Sequence, residues 1–172
     1  MPIGPTDAMM ARVRHSGAIP ARRLLFVCSG NICRSPLAEA IFRHQAEQAG
    51  RDSDFELDSA GTHGYHEGEP ADARARRVGA ARGVAVTSIA REVRDSDFEH
   101  FDLILAMDQG HLRELRRRCP APQRGKLRLM REFGVPAGGD VPDPYYSDDS
   151  AFAEVFDLLE GCCRGLLAEL KR

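Results

Sequence analysis

The chain has 172 residues, 42% of them hydrophobic and only 6% aromatic, with a formal charge of −2. That length fits one domain with a core of its own. The near-neutral balance excludes a dedicated nucleic-acid binder and a membrane-surface role, so any anionic ligand must be caught by a local device. In chain order, "MPIGPTDAMMARVRHSGAIP" lacks the apolar core of a signal peptide and reads as a flexible tail over 1–21, ahead of a single domain over 22–172. No apolar run approaches the ~20 residues of a membrane span. Leu24–Val27 is a short continuous apolar run, as expected of a strand covered on both faces. Ser35 and Pro36 read as the cap and first residue of a helix, with Leu37, Ala40, Ile41 and His44 at helical spacing and a stop at Gly50.

Phe55 and Leu57 alternate with Glu56 and Asp58, which predicts a second strand before Ser59-Ala60-Gly61-Thr62. Pro70 to Arg82 reads as a helix. Phe101–Met107, "FDLILAM", carries the strongest strand signal, and Asp108 caps a helix that runs to Arg118 and stops at Pro120. Lys126–Met130 is a shorter strand. "VPDPYY" is a loop, since its two prolines forbid central strand or helix. From Ser150 to Leu170 the residues Phe152, Val155, Phe156, Leu159, Cys163, Leu166, Leu167 and Leu170 form one stripe of a long amphipathic helix. Strands alternating with helices predict an α/β fold: a three-layer, doubly wound parallel sheet with flanking helices, binding its ligand beyond the carboxyl ends of the strands.

The stretch "CSGNICRS", Cys28 to Ser35, lies at such a strand end. Ser29, Gly30, Asn31, Ile32, Cys33 and Arg34 form a loop between strand and helix. Gly30 is free to take positive φ, and Asn31 tolerates it. Successive N–H groups in such a loop make an anion nest, the helix start adds its positive dipole end, and Arg34 adds a planar fork for two phosphate oxygens. Cys28 lies at the base of this nest, where the field that binds an anion also favours thiolate over thiol. A thiolate pointed at a bound phosphorus is a nucleophile, and Ser35 is placed to donate to it. Asp143, stiffened between two prolines, suits a general acid, while Tyr145 and Tyr146 suit the walls of an aromatic pocket.

With "CSGNICRSP", "SAGT", "EPADARA", "FDLILAMD", "LRELRR" and "DPYY" in this order, the sequence resembles the bacterial-type low-molecular-weight protein tyrosine phosphatases from Leu24 to the last helix. The resemblance implies a four-stranded parallel sheet with an N-terminal phosphate-binding loop. It also implies hydrolysis of phosphotyrosine in proteins through a cysteinyl-phosphate, with no cofactor and no metal. By resemblance, Cys28 is the nucleophile, Arg34 the phosphate clamp and Asp143 the general acid and base. Ser35 steadies the thiolate, Asn31 holds the loop with Ser59 behind it, and Cys33 is the redox partner of Cys28. Tyr65 falls at the pocket rim, which fits the branch acting on phosphotyrosyl proteins rather than the branch paired with capsule-exporting tyrosine kinases. Ile32 stands where the related protein-arginine phosphatases carry Thr. Ser88 departs from the family, many of whose members place a His there.

The implied partners are phosphotyrosyl proteins or peptides, with inorganic phosphate as product. The chain is expected to be a cytoplasmic monomer or weak dimer. Of the five cysteines, Cys162 and Cys163 read as packing residues and Cys119 as an exposed thiol at a helix end. His63 and His66 read as solvated loop residues, and Arg116–Arg118 as a solvated helix face. No metal-ligand spacing is present. Arsenate reduction on this architecture needs further cysteines well downstream of the nucleophile, and the stretch around His100 has none. A non-catalytic phosphate-binding module is the remaining alternative, and Cys28, Arg34 and Asp143 together count against it.

Overall fold

The computed structural model describes residues 21–171, so the expected tail lies outside them but for its last residue. The elements run β1 (Arg22–Cys28), α1 (Arg34–Gln48), β2 (Phe55–Gly61), α2 (Ala73–Ala81), α3 (Asp97–His100), β3 (Leu103–Ala106), α4 (Gln109–Arg118), β4 (Leu127–Leu129) and α5 (Asp149–Glu169). The four strands form one parallel sheet in the order β2-β1-β3-β4. This is the expected doubly wound α/β sheet.

β1 explains the three layers. Leu24, Phe26 and Cys28 point into one core, while Leu25 and Val27 point into the other. A strand buried on both faces reads as an unbroken apolar run for that reason. The first core joins the sheet to α1 and α5, with Leu37, Ile41 and Phe42 in the same cluster as Phe152, Phe156 and Leu159. The second holds Ile104, Ala106, Leu112 and Leu115 beneath α4. Each fully buried Leu or Phe contributes about 1.5–3 kcal/mol. The chain leaves β1 toward β2 on one side and returns to β3 on the other, so the carboxyl ends of β1 and β3 flank the switch point where such sheets bind ligands.

Several elements differ from the sequence reading. α1 starts two residues early, at Arg34, and Cys33 occupies its cap position without a side-chain cap bond. Ser35 is therefore not the cap; its hydroxyl faces the sulfur of Cys28 instead. α1 is buried on all sides from Arg34 to Phe42 rather than along one stripe, because it packs against the sheet, α5 and α2. Ser59-Ala60-Gly61 belongs to β2 instead of following it. α2 starts only at Ala73, where Asp72 caps it by accepting the Arg74 N–H. α3 spans four residues, too few to show a period, and β4 shrinks to three, followed by a 3₁₀ turn over Met130–Phe133. Cys119 is 2% exposed, within the second core, and not the exposed thiol expected of a helix end.

Candidate active site

The loop between β1 and α1 is shaped by Asn31. It is the one described non-glycine residue with positive φ, at 58°. Of the two loop residues expected to be able to take it, Gly30 does not and Asn31 does, its short amide bonding locally. That amide is fixed in orientation: Oδ1 accepts the Arg91 backbone N–H at 3.1 Å, so Nδ2 is left to donate to Ser35 Oγ at 2.8 Å. Ser35 Oγ in turn lies 3.0 Å from Cys28 Sγ. The serine oxygen already accepts from Asn31, and its own proton has two acceptors in reach, the sulfur at 3.0 Å and the more distant Ala60 carbonyl at 3.4 Å; a thiolate at Cys28 is the stronger of the two. The chain Asn31 to Ser35 to Cys28 thus runs donor to acceptor and ends on the thiolate form. Its members are 3% exposed or less.

Arg34, the first residue of α1, is 4% exposed. Nη1 donates to Asp108 Oδ2 at 2.9 Å and to the Val141 carbonyl at 3.0 Å, and Nη2 lies 3.7 Å from Asp143 Oδ2. Burial alone would raise the Asp108 carboxyl, but the His111 N–H and the Arg34 guanidinium outweigh it and hold Asp108 below the usual carboxylate range. Asp108 is also the cap of α4, accepting the His111 N–H with its other oxygen. The loop carrying Asp143 is tied to the sheet where the Val141 N–H donates to the Met107 carbonyl at 2.8 Å. Asp143 Oδ1 accepts the Tyr145 N–H at 3.1 Å, a local turn that leaves Oδ2 facing the site.

Above the loop is a cavity of about 310 Å³ lined by Cys28, Ser29, Gly30, Ile32, Cys33, Arg34, Tyr65, His66, Asp143, Tyr145 and Tyr146. Ile32 and Cys33 are buried at its floor, while Tyr65 and Tyr146 are exposed at its mouth. Arg74 holds one wall: it donates to the Tyr145 and Ser147 carbonyls at 2.9 Å each, and its guanidinium lies 5.6 Å from the Tyr145 ring centre. Tyr65 stacks on His63 at 4.9 Å.

The family model described as "Low molecular weight phosphotyrosine protein phosphatase" matches residues 23–172. The chain belongs to that family. It is 48% identical over 153 residues to a low molecular weight protein-tyrosine-phosphatase of Streptomyces coelicolor, covering 87% of this chain and 93% of the relative. It is 37% identical over 148 residues to the human low molecular weight phosphotyrosine protein phosphatase, covering 85% and 94%. Among solved structures, a protein tyrosine phosphatase from Entamoeba histolytica with Hepes in its active site superposes with a TM-score of 0.85 at 45% identity, over 87% of this chain and 97% of that one.

Within this phosphatase fold the expected site residues meet in one place, with one exception. Ser59 is buried in β2, but its hydroxyl has no hydrogen-bond partner and makes no link to Asn31. The hydroxyl of Ser88, where many members of the family carry a His, is also buried and unpartnered. His66 corrects another expectation. Its Cδ2 would lie 2.9 Å from a Cβ placed on Gly30, so the ring covers the loop and is not simply solvated. A side chain at Gly30 would push that ring aside, whereas its φ is one that other residues adopt. The charged run is partly tied down, since Arg117 and Arg118 both bond Glu114 and Arg118 also reaches the Thr62 carbonyl. Burial, with Asp72 nearby, pushes the Cys33 thiol far up, so it stays protonated.

Asp108, His111, Arg74, Arg91 and Gly61 were not singled out from sequence as site residues. Gly61 and Arg74 lay inside the stretches "SAGT" and "EPADARA" without a role of their own, and Asp108 carried a signal as a helix cap; its second oxygen does the further work on Arg34. Gly61 lies where β2 meets the loop. A Cβ there would stand 2.6 Å from the Ser29 carbonyl and 3.2 Å from the Asn31 nitrogen, both backbone atoms. Gly61→Ala is expected to shift the phosphate loop and destabilise the protein by about 1–3 kcal/mol. Urea unfolding, together with phosphate affinity that falls more than stability alone would dictate, checks it.

Proposed function

We propose that the protein hydrolyses phosphotyrosine in proteins and peptides, with Cys28 as nucleophile, Arg34 as phosphate clamp and Asp143 as general acid and base. The observation that carries the reading is the donor chain ending on Cys28 Sγ, in the same cavity as the pinned Arg34 guanidinium and the Asp143 carboxyl. Cys28 attacks phosphorus as the phenolic oxygen leaves with a proton from Asp143. The resulting carboxylate then takes a proton from water, which attacks the cysteinyl-phosphate, releases inorganic phosphate and restores the thiolate. Backbone N–H groups and Arg34 meet the equatorial oxygens throughout, which is where phosphoryl transfer gains most. Every step is supplied by the chain's own groups.

A deep nucleophile beneath aromatic walls favours an aryl phosphate over a short alkyl one. Ile32 at the cavity floor adds an apolar face that suits a phenyl ring better than a guanidine. When a peroxide oxidises Cys28 to the sulfenic acid, Cys33 in the same cavity is the thiol that condenses with it, forming the disulfide and releasing water. The five free thiols suit a reducing, cytoplasmic setting. The exposed aromatics cluster at the cavity mouth, where they favour substrate contact and leave the chain a monomer or weak dimer.

The test is phosphate release, without added metal, from matched peptides bearing phosphotyrosine, phosphoserine or phosphoarginine. Phosphotyrosine is expected to lead by at least tenfold in kcat/KM, and Ile32→Thr to narrow its lead over phosphoarginine. Equal rates on all three peptides would remove the aromatic-pocket reading, and an unchanged lead in the variant would remove Ile32 from it.

A further inference from the structure

Among the buried titratable side chains that this mechanism leaves without a task, His111 is the one that touches the site. It is 5% exposed, on the first turn of α4, and it touches three parts of the site. Nε2 lies 2.7 Å from Ser29 Oγ and 3.5 Å from Arg34 Nη2. Nδ1 lies 3.2 Å from Asp108 Oδ1, but off the line of a good hydrogen bond, and has no other partner.

We propose that His111 is a positioning residue for phosphoryl transfer: a neutral imidazole, protonated on Nδ1, whose Nε2 lone pair holds the Ser29 hydroxyl and the Arg34 guanidinium in place behind the anion loop. This rests on the roles given above to Cys28 and Arg34.

The tautomer follows from the neighbours. Nε2 faces an Arg34 N–H, which can only donate, so a proton on Nε2 would meet another proton. Nδ1 faces a carboxylate oxygen, which repels a lone pair and attracts an N–H. Both ends of the ring select Nδ1–H. With Nε2 as acceptor, the Ser29 hydroxyl must be the donor at 2.7 Å. Ser29 is the loop residue next to Cys28, so its side chain is drawn backward and anchors the loop from outside. Arg34 is then braced by Asp108 and Val141 on one nitrogen and by His111 on the other.

The charged groups around the ring are Arg34 from the start of α1, Asp108 from the turn before α4, and Asp140 and Asp143 from the acid loop. Burial, joined by the Arg34 charge, lowers the His111 pKa to about 4 against the opposing pull of Asp108. The acceptor at Nε2 therefore persists from pH 5 to pH 8.

Chain length supplies the control. A glutamine amide oxygen reaches the position of Nε2, whereas an asparagine amide reaches only that of Nδ1. Inorganic phosphate is titrated into the wild type, His111→Gln, His111→Asn and His111→Phe, with unfolding followed in parallel. Phosphate dissociation constants are expected within about threefold of wild type for Gln. For Asn and Phe they are expected to rise roughly tenfold, the effect of losing one buried hydrogen bond in a charged setting. With the phosphotyrosyl peptide the same variants should raise KM in the same order. ¹⁵N NMR of the wild-type ring should show an unprotonated Nε2 and a protonated Nδ1 between pH 5 and pH 8.

Three results would overturn the proposal: a proton on Nε2, titration of the ring near pH 6.5, or Gln and Phe variants that fold and bind phosphate alike. Phosphate binding and ring NMR need no turnover. An inactive protein that still showed the expected tautomer and the Gln rescue would thus sink the phosphatase reading and leave His111 as the residue that positions the anion loop and Arg34 for phosphate binding.

Discussion

Replacing Cys28 by serine is expected to lower turnover of a phosphotyrosyl peptide by on the order of 10⁵–10⁶, to the level of the blank, as loss of a covalent nucleophile does elsewhere. A serine hydroxyl at this depth has no base to take its proton, since the groups facing Cys28 donate: Ser35 Oγ lies 3.0 Å from the sulfur and is itself held by Asn31. The network steadies a thiolate and cannot make an alkoxide. The loop and Arg34 are untouched by the change, because Arg34 is fastened to Asp108 and Val141 and not to Cys28. The variant should therefore still bind the phosphopeptide within a few-fold of the wild type while failing to turn it over. Binding is read by titration calorimetry and turnover by phosphate release. Residual hydrolysis within tenfold of the wild type would remove Cys28 from the nucleophile's role, and loss of binding would show that the thiolate helps to build the cradle.

Asp143→Asn is expected to lower kcat/KM for the same peptide by about 10²–10⁴. The tyrosine phenol, with a pKa near ~10, needs a proton to leave well. An aryl phosphate whose phenol leaves unaided should lose much less in its first step, so the two substrates separate the acid from mere positioning. The second step distinguishes the roles further. Without the carboxylate, water attacks the cysteinyl-phosphate slowly, and phosphate bound to Cys28 should accumulate and be seen after rapid acid quench. Asparagine keeps the turn, since its amide oxygen can still accept the Tyr145 N–H that Asp143 Oδ1 accepts at 3.1 Å. A uniform loss on both substrates, with no trapped intermediate, would assign Asp143 to the loop's shape alone.

Much of this site could be read from the chain because its parts are local in sequence. Cys28 to Ser35 is one turn between a strand and a helix, and the chemistry of a nest, a dipole and an arginine is written there in order. The long-range members could not be read so easily. Arg91 contributes a backbone N–H to Asn31, a bond that any residue but proline can make and that no residue type announces. Gly61 is required because two backbones cross there, a condition set by the fold and not by its neighbours in sequence. His111 sits among polar residues of a helix, and only the fold brings Ser29 and Arg34 beside it. Cys119 was misread because a thiol before a proline at a helix end is exposed only if nothing covers that end, and here the second core closes over it. Ser59 and Ser88 remain buried hydroxyls without partners, and nothing in the structure explains them.

Arg34 fastens the acid loop as well as the anion loop, through the Val141 carbonyl, and Val141 is itself bonded to the strand end at Met107. Enzymes that carry their acid on a mobile lid spend part of each cycle closing it, on microsecond to millisecond timescales. Here the carboxyl proposed as proton donor lies two residues from the bond that ties its loop to the strand end, so the proposed cycle is expected to contain no closing stroke. Its rhythm is then set by chemistry and by the departure of phosphate. Solvent viscosity should touch turnover only as far as that departure is slow.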